Sequence, residues 1–190
     1  MPRYCIETSR LILRPFNQED LESFLVYWND PRYLTFYPWT SPVQQQGVQL
    51  FEDILSWQCQ SPVTKYQFVV IEKLSGRIIG NCGSRLINNS EADIGYELNP
   101  DWWGQRIGQE LASIMTDFGF QALHSDRIIA EVIGENIRSI NILNQLGFVL
   151  RTVKKNHEFF KGRFWDLNVY EISDPRTLKT VCQYSLSSIP

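Results

Sequence analysis

Histidine is scarce in this sequence: 190 residues hold two, His124 and His157. They lie far apart along the chain, which argues against a histidine metal cluster or a histidine-based triad, and no metal is expected. Cysteine pairs are also lacking. Cys5, Cys59, Cys82 and Cys182 are scattered with no Cys-x-x-Cys spacing, so they read as free thiols in a reducing compartment and not as a disulfide framework. Basic residues are not in excess. Eighteen Lys and Arg against 21 Asp and Glu give a net charge of -3, which leaves no electrostatic footprint for nucleic acid. No apolar run approaches the roughly 20 residues that span a bilayer, and the opening residues lack the apolar core of a signal peptide. The expectation is a soluble, cytoplasmic protein with neither nucleic acid nor membrane as partner. Monomer and homodimer both stay open.

What the sequence does have is apolar patterning: 43% hydrophobic and 13% aromatic residues in a length that suits one core. The stretch from residue 92 to residue 111 organises the rest. Ile94, Tyr96 and Leu98 alternate with Asp93, Gly95 and Glu97, as in a strand with two different faces. Then Ile107, Leu111, Ile114, Met115, Phe118 and Ala122 fall at helical spacing, so a helix is expected to begin near Gln105. Between them lies a short turn containing Gly104 and Gly108. The first amides of a helix lack internal partners and sit at the positive end of its dipole, where phosphates bind. A simple strand-to-helix turn is the alternative.

Around that centre the chain reads as alternating strands and helices. Residues 8–16 form a strand. A helix follows, with Leu21, Phe24, Leu25 and Trp28 on its apolar face. Tyr33, Phe36, Tyr37 and Trp39 crowd the next segment, either as a lid on the core or as a wall of an acceptor pocket. Ser41 and Pro42 read as the cap of a helix running to about residue 59. Residues 66–72 and 77–86 form a hairpin turning at Ser75 and Gly76. Residues 127–133 are a strand and residues 135–146 a helix, with Gly147 at a left-handed C-cap. Residues 148–156 and 157–172 read as further strands, the second interrupted at Lys161 and Gly162. Asp174 and Pro175 open a polar tail with room for a short helix.

Four segments, in order and correctly spaced, resemble the GNAT acyltransferase superfamily, in its branch of ribosomal-protein N-terminal acetyltransferases. They are Thr8, Ser9, Arg10 and Leu11 of the opening strand; Ile94, Gly95, Tyr96 and Glu97 running on to Trp102, Trp103 and Gly104; Asn136 and Ser139 leading to Leu146, Gly147 and Phe148; and Gly162, Arg163, Phe164, Trp165 and Asp166 running to Tyr170. The resemblance implies a single GNAT-like α/β domain over residues 1–172, with residues 173–190 as a tail. It implies a mixed, mostly antiparallel sheet of about seven strands flanked by helices, with a splayed βαβα acetyl-CoA site. It implies acetyl-CoA as donor and an amine as acceptor, either a protein or peptide N-terminus or a small molecule. The coenzyme-binding positions it marks are Leu98, Asn99, Trp103, Gly104, Gln105, Arg106, Ile107, Gly108, Gln109, Asn136 and Ser139. Two positions depart from the family. Arg106 replaces a glycine, and Leu143 stands where many members carry a tyrosine acid.

Amide formation from a thioester needs a neutral amine held near the carbonyl and donors for the developing oxyanion. A carboxylate can take the ammonium proton directly or through water. Glu97 closes the strand beside the loop. Glu131 shares a strand face with Ile129 and Ile133, opposite Val132, where burial would raise its pKa to a useful value. Either is a candidate base. Ser139 is a candidate donor to the coenzyme sulfur in place of the missing tyrosine, or a serine of an ordinary first helical turn. Asn136 either binds the pantetheine amide or caps the helix. Arg106 falls where the helix starts, so its φ is expected to be negative, leaving its N–H free to face a pyrophosphate. A GNAT-fold protein that binds acyl-CoA without catalysis is the competing reading, and a nucleotide-binding dehydrogenase is disfavoured because no Gly-x-Gly-x-x-Gly opens the chain.

Overall fold

The computed structural model describes residues 3–179 and 182–189. In chain order the elements are β1 (Arg3–Glu7), β2 (Leu11–Pro15), α1 (Leu21–Trp28), α2 (Gln44–Trp57), β3 (Lys65–Glu72), β4 (Ile78–Leu86) and β5 (Glu91–Leu98). They continue as α3 (Ile107–Gln121), β6 (Arg127–Ile133), α4 (Ile137–Leu146), β7 (Val149–Phe160), β8 (Arg163–Ile172) and β9 (Ser185–Ile189). Among the described residues the nine strands make one sheet in the order β7-β8-β6-β5-β4-β3-β2-β1-β9. Every neighbouring pair is antiparallel except β5 and β6.

That one parallel pair matters most. It is in register at Glu91↔Arg127, Ala92↔Ile128 and Asp93↔Ile129. Beyond Asp93 the strands part: β5 stays with β4 as far as Gly80↔Leu98, and β6 stays with β8 as far as Ile133↔Leu167. The sheet therefore opens into a wedge between residues 94–98 and 130–133. Strand edges carry backbone donors and acceptors, so such a gap suits an amide-bearing ligand.

Alternation assigns the two faces. Ala92, Ile94, Leu98, Ile128, Ala130 and Val132 pack against α3 and α4, in a core with Leu111, Met115, Phe118, Leu143 and Leu146. On the other face Phe16, Phe24, Trp28, Phe51, Ile54 and Val69 join α1 and α2 to the sheet. Helix α3 is buried nearly all round. The sheet covers one side and α4 another, and the C-terminal segment covers a third: Leu178 is buried, Cys182 and Tyr184 pack on the same core, and the Tyr184 hydroxyl donates to Asp117. Buried Thr116 satisfies its hydroxyl by donating to the Ala112 carbonyl at 2.7 Å. Gly147 caps α4 at φ 99°, where a Cβ would lie 2.5 Å from the Thr177 carbonyl.

The structure departs from the sequence reading in several places. The sheet has nine strands and not about seven. The strand expected over 8–16 starts at Leu11, because the Thr8 hydroxyl accepts the Leu11 amide and makes residues 8–10 a turn; a separate strand, β1, precedes it. Ser41 does not cap α2, which starts at Gln44 with no side-chain cap. β7 runs unbroken through His157, taking up a register shift with Asn156 at φ 50°. Past Ile172 the chain makes a short 3-10 turn over Pro175–Thr177 and then returns as β9 beside β1. This last pairing is a contact between the two ends of the described chain, which no local pattern announces.

Candidate active site

The loop from β5 to α3 is built mainly from backbone. Asn99 accepts a hydrogen bond from the Asp101 amide at 3.0 Å and so caps a 3-10 turn over Pro100–Trp102. The Trp103 indole donates to the Leu98 carbonyl at 3.1 Å, and the Arg138 guanidinium lies 4.5 Å above its ring. Gly104 has φ 78° and Arg106 has φ 60°, ψ 11°. The expected negative φ at Arg106 is thus overturned: the helix begins one residue later, at buried Ile107, and Arg106 is its left-handed N-cap. A left-handed residue followed by a right-handed one turns successive N–H groups to one side, an anion-binding concavity. Here those amides belong to Arg106, Ile107 and Gly108. For a non-glycine residue the conformation costs about 1–2 kcal/mol. Gly108 serves packing, since a Cβ there would sit 3.2 Å from Ile142 Cδ1. Gln105 is exposed and Gln109 half-buried.

At the start of α4 the Asn136 side chain accepts the Ser139 amide at 3.3 Å, so Asn136 caps the helix. Half-buried Ser139 lies beside the Tyr96 hydroxyl, without a well-formed hydrogen bond between them. Burial pushes Tyr96 up to about 12, with the Ser139 hydroxyl opposing. Leu143 is buried in the core and supplies no acid.

On the opposite face, Glu97 anchors a polar network within aromatic packing. Its Oε1 accepts the Tyr37 hydroxyl at 2.9 Å, and its Oε2 accepts Asn81 Nδ2 at 2.7 Å. Asn81 Nδ2 also donates to the Tyr27 hydroxyl at 2.7 Å, and Asn81 Oδ1 accepts from Gln67. Tyr33 stacks on Tyr37 and Tyr37 on Trp39, with ring centroids 4.9 and 5.5 Å apart. Burial first, and then the Glu97 charge, hold the Tyr27, Tyr33 and Tyr37 hydroxyls well above their usual range, so all three stay neutral, with Tyr37 donating to Glu97 and Tyr27 accepting from Asn81. The aromatic segment is tied down from two sides. Lys161, at the β7–β8 turn, donates to the Leu34 carbonyl, and Arg32 pairs with Asp101 of the β5–α3 loop at 2.8 Å.

The sheet thus carries a wedge, a left-handed turn opening α3 on one face and a half-buried carboxylate on the other. The description "Acetyltransferase (GNAT) domain" matches residues 10–149. The chain belongs to the GNAT acetyltransferase family. This N-acetyltransferase is 34% identical over 171 residues to the uncharacterized N-acetyltransferase p20 of Bacillus licheniformis, a match covering 87% of the chain and 93% of that protein. Its fold is similar to that of ribosomal-protein-S5-alanine acetyltransferase from Vibrio fischeri, with TM-score 0.77 at 22% identity over 90% of this chain and 97% of that one. It is also similar to spermidine N-acetyltransferase from Vibrio cholerae in complex with CoA and spermine, with TM-score 0.75 at 20% identity over 90% and 99%. At such identities the likeness shows the fold alone.

Within this GNAT chain Glu131 does not meet the burial expected of it. It emerges on the same sheet face as Glu97 but from the other lip of the wedge, and that part of the face carries no helix. The carboxylate is exposed and paired with Lys154 at 2.8 Å. The apolar neighbours Ile129 and Val169 floor an open trough of about 520 Å³ and do not enclose the acid. Sequence reasoning missed Tyr96, Asn81 and Arg10. Tyr96 had a signal, since a tyrosine on a core-facing strand position must place its hydroxyl somewhere. Asn81 had a weaker one, an amide within an apolar strand. Among the described residues no helix is long and apolar enough to cross a membrane, and no group of His, Cys, Asp or Glu is placed to hold a metal ion.

Proposed function

We propose that the enzyme transfers the acetyl group of acetyl-CoA to an α-amine of a protein or peptide, with Glu97 as the base. The observation that carries this reading is the position of Glu97, at the mouth of the wedge with one donor already on each oxygen. A carboxylate has about four acceptor positions, so capacity remains for an incoming ammonium or for a water between them. The turn at residues 104–109 would hold the pyrophosphate, and the open edges of β5 and β6 the pantetheine amides. Leu98 would serve there through its amide, as Trp103 already takes its carbonyl.

In the reaction the amine nitrogen bonds to the acetyl carbon and the carbon–sulfur bond breaks. The ammonium first gives one proton to Glu97 and on to solvent; as the amide forms the nitrogen releases a second, which solvent carries to the departing sulfur. Ser139 would donate to the departing sulfur. Tyr96, held near 12, stays protonated behind it and is a hydrogen-bond donor at neutral pH, not a proton source. Asn136 would act by fixing the turn that carries Ser139. Glu131 is the second candidate base, reachable only across the open trough.

The α-amine suits a site that has Leu143 in place of a tyrosine acid. An α-amine of pKa near 8 is roughly a tenth neutral at pH 7, and a lysine amine of pKa near 10.4 far less. A polyamine is the second reading: the rings of Tyr33, Tyr37 and Trp39 stack on one another and so offer its methylenes an apolar wall beside Glu97. An acceptor screen read by mass spectrometry separates the two. Acetylation at peptide N-termini is expected. Modification confined to spermidine-like amines would favour the second reading, and preference for lysine side chains would contradict both the α-amine assignment and its rationale.

A further inference from the structure

Arg10 lies in the turn between β1 and β2, far in sequence from the coenzyme loop, yet it reaches that loop twice. Its Nη1 donates to the Gln105 carbonyl at 2.9 Å, and its Nε donates to Glu110 Oε2 at 2.7 Å. Its own backbone is fixed. The Thr8 hydroxyl accepts the Arg10 amide at 3.3 Å, and the Lys73 amide donates to the Arg10 carbonyl at 2.9 Å. The arginine therefore extends from a firm anchor.

We propose that Arg10 is a positioning residue that sets the pyrophosphate-binding turn. This inference rests on the reading of residues 104–109 as the coenzyme loop. In a trans peptide the carbonyl and the N–H point in opposite directions. By holding the Gln105 carbonyl, Arg10 fixes the Gln105–Arg106 peptide plane and turns the Arg106 N–H the other way, toward the amides of Ile107 and Gly108. It thus selects the left-handed state at Arg106 that an arginine would otherwise leave. The second contact concerns charge. Glu110 is buried in the first turn of α3, where a free carboxylate would repel a pyrophosphate. The guanidinium neutralises it at 2.7 Å. Both tasks need the two-pronged geometry of arginine; a lysine ammonium is a point charge that serves one at a time.

The test uses two donors, acetyl-CoA and S-acetyl-pantetheine, which has the same thioester and no pyrophosphate. For Arg10→Ala we expect CoA binding by calorimetry to weaken about tenfold. The ratio of kcat/KM with acetyl-CoA to kcat/KM with S-acetyl-pantetheine should fall by a similar factor. Arg10→Lys should fall between, and adding Glu110→Gln to Arg10→Ala should recover part of the CoA binding by removing the exposed charge. Equal losses with both donors would mean general destabilisation and overturn the proposal, as would unchanged CoA binding. A wild-type protein that binds CoA but acetylates no amine would refute the proposed function instead, and the calorimetric arm would still decide the role of Arg10.

Discussion

The two faces of the sheet build their sites by different means. On the α3 and α4 face the proposed anion-binding elements are consecutive amides, and what matters is the sign of φ at residues 104 and 106. On the α1 and α2 face the proposed base is one carboxylate whose partners come from distant segments: Tyr37 is sixty residues away in sequence and Asn81 sixteen. A backbone site depends on the conformation of the chain more than on its side chains, and Arg106 holds the left-handed conformation that glycine favours. A side-chain site depends on each partner being present.

The substitution with the largest expected effect is therefore on the side-chain face. Glu97→Gln should lower kcat/KM by about 100-fold near pH 7, within the usual range for loss of a general base. The loss should shrink as pH rises past the acceptor's own pKa, because more amine is then neutral without help. A pH-independent loss would mean that Glu97 orients the acceptor and does not deprotonate it.

Next comes the sulfur side. Ser139→Ala should lower kcat about tenfold, the worth of one hydrogen bond to developing charge, and leave the CoA dissociation constant unchanged. Tyr96 sits near 12, so neither residue should add a break to the pH–rate profile below about pH 10. A break in the wild-type profile within that range that vanishes in Tyr96→Phe would remove Tyr96 from this role.

Arg106→Gly sharpens the backbone side. Relief of the left-handed strain gains about 1–2 kcal/mol, and the greater freedom of glycine in the unfolded chain offsets about 0.5–1 of it. Thermal unfolding should show a net gain of up to about 1.5 kcal/mol, with CoA binding changed by less than about threefold. A large loss of binding would assign a phosphate contact to the guanidinium itself. The smallest effect is expected at Glu131. Its exposed pair with Lys154 contributes about 0–1 kcal/mol, and Glu131→Gln should leave turnover within about twofold. A drop comparable to that of Glu97→Gln would exchange their roles.

The same contrast explains what was legible in the sequence. β5, β6 and the Gly147 cap follow from alternation, β-branching and a single glycine, all local signals, and the fold follows from their order. The left-handed turn at Arg106 was not legible because arginine there contradicts the residue preference for positive φ. Tertiary contacts, among them the Arg10 bond to the Gln105 carbonyl, override it. The exposure of Glu131 was not legible because alternation tells which residues share a face and not whether a helix covers it. β1 and β9 escaped for a related reason: both are short strands at one end of the sheet, and their partners are set by the whole topology.

The pairing of β1 with β9 also bears on how the protein folds. The Ser187 hydroxyl donates to the Cys5 carbonyl at 3.4 Å across a sequence separation of 182. The entropy of closing so long a loop grows only logarithmically with its length, yet contacts of this span slow folding, since they form after the local ones. The segment that crosses α3 arrives with β9. The helix that would meet the coenzyme thus gains its last cover only as folding ends, and pulsed hydrogen exchange should show the amides of β1 and the outer side of α3 becoming protected after those of β3, β4 and β5.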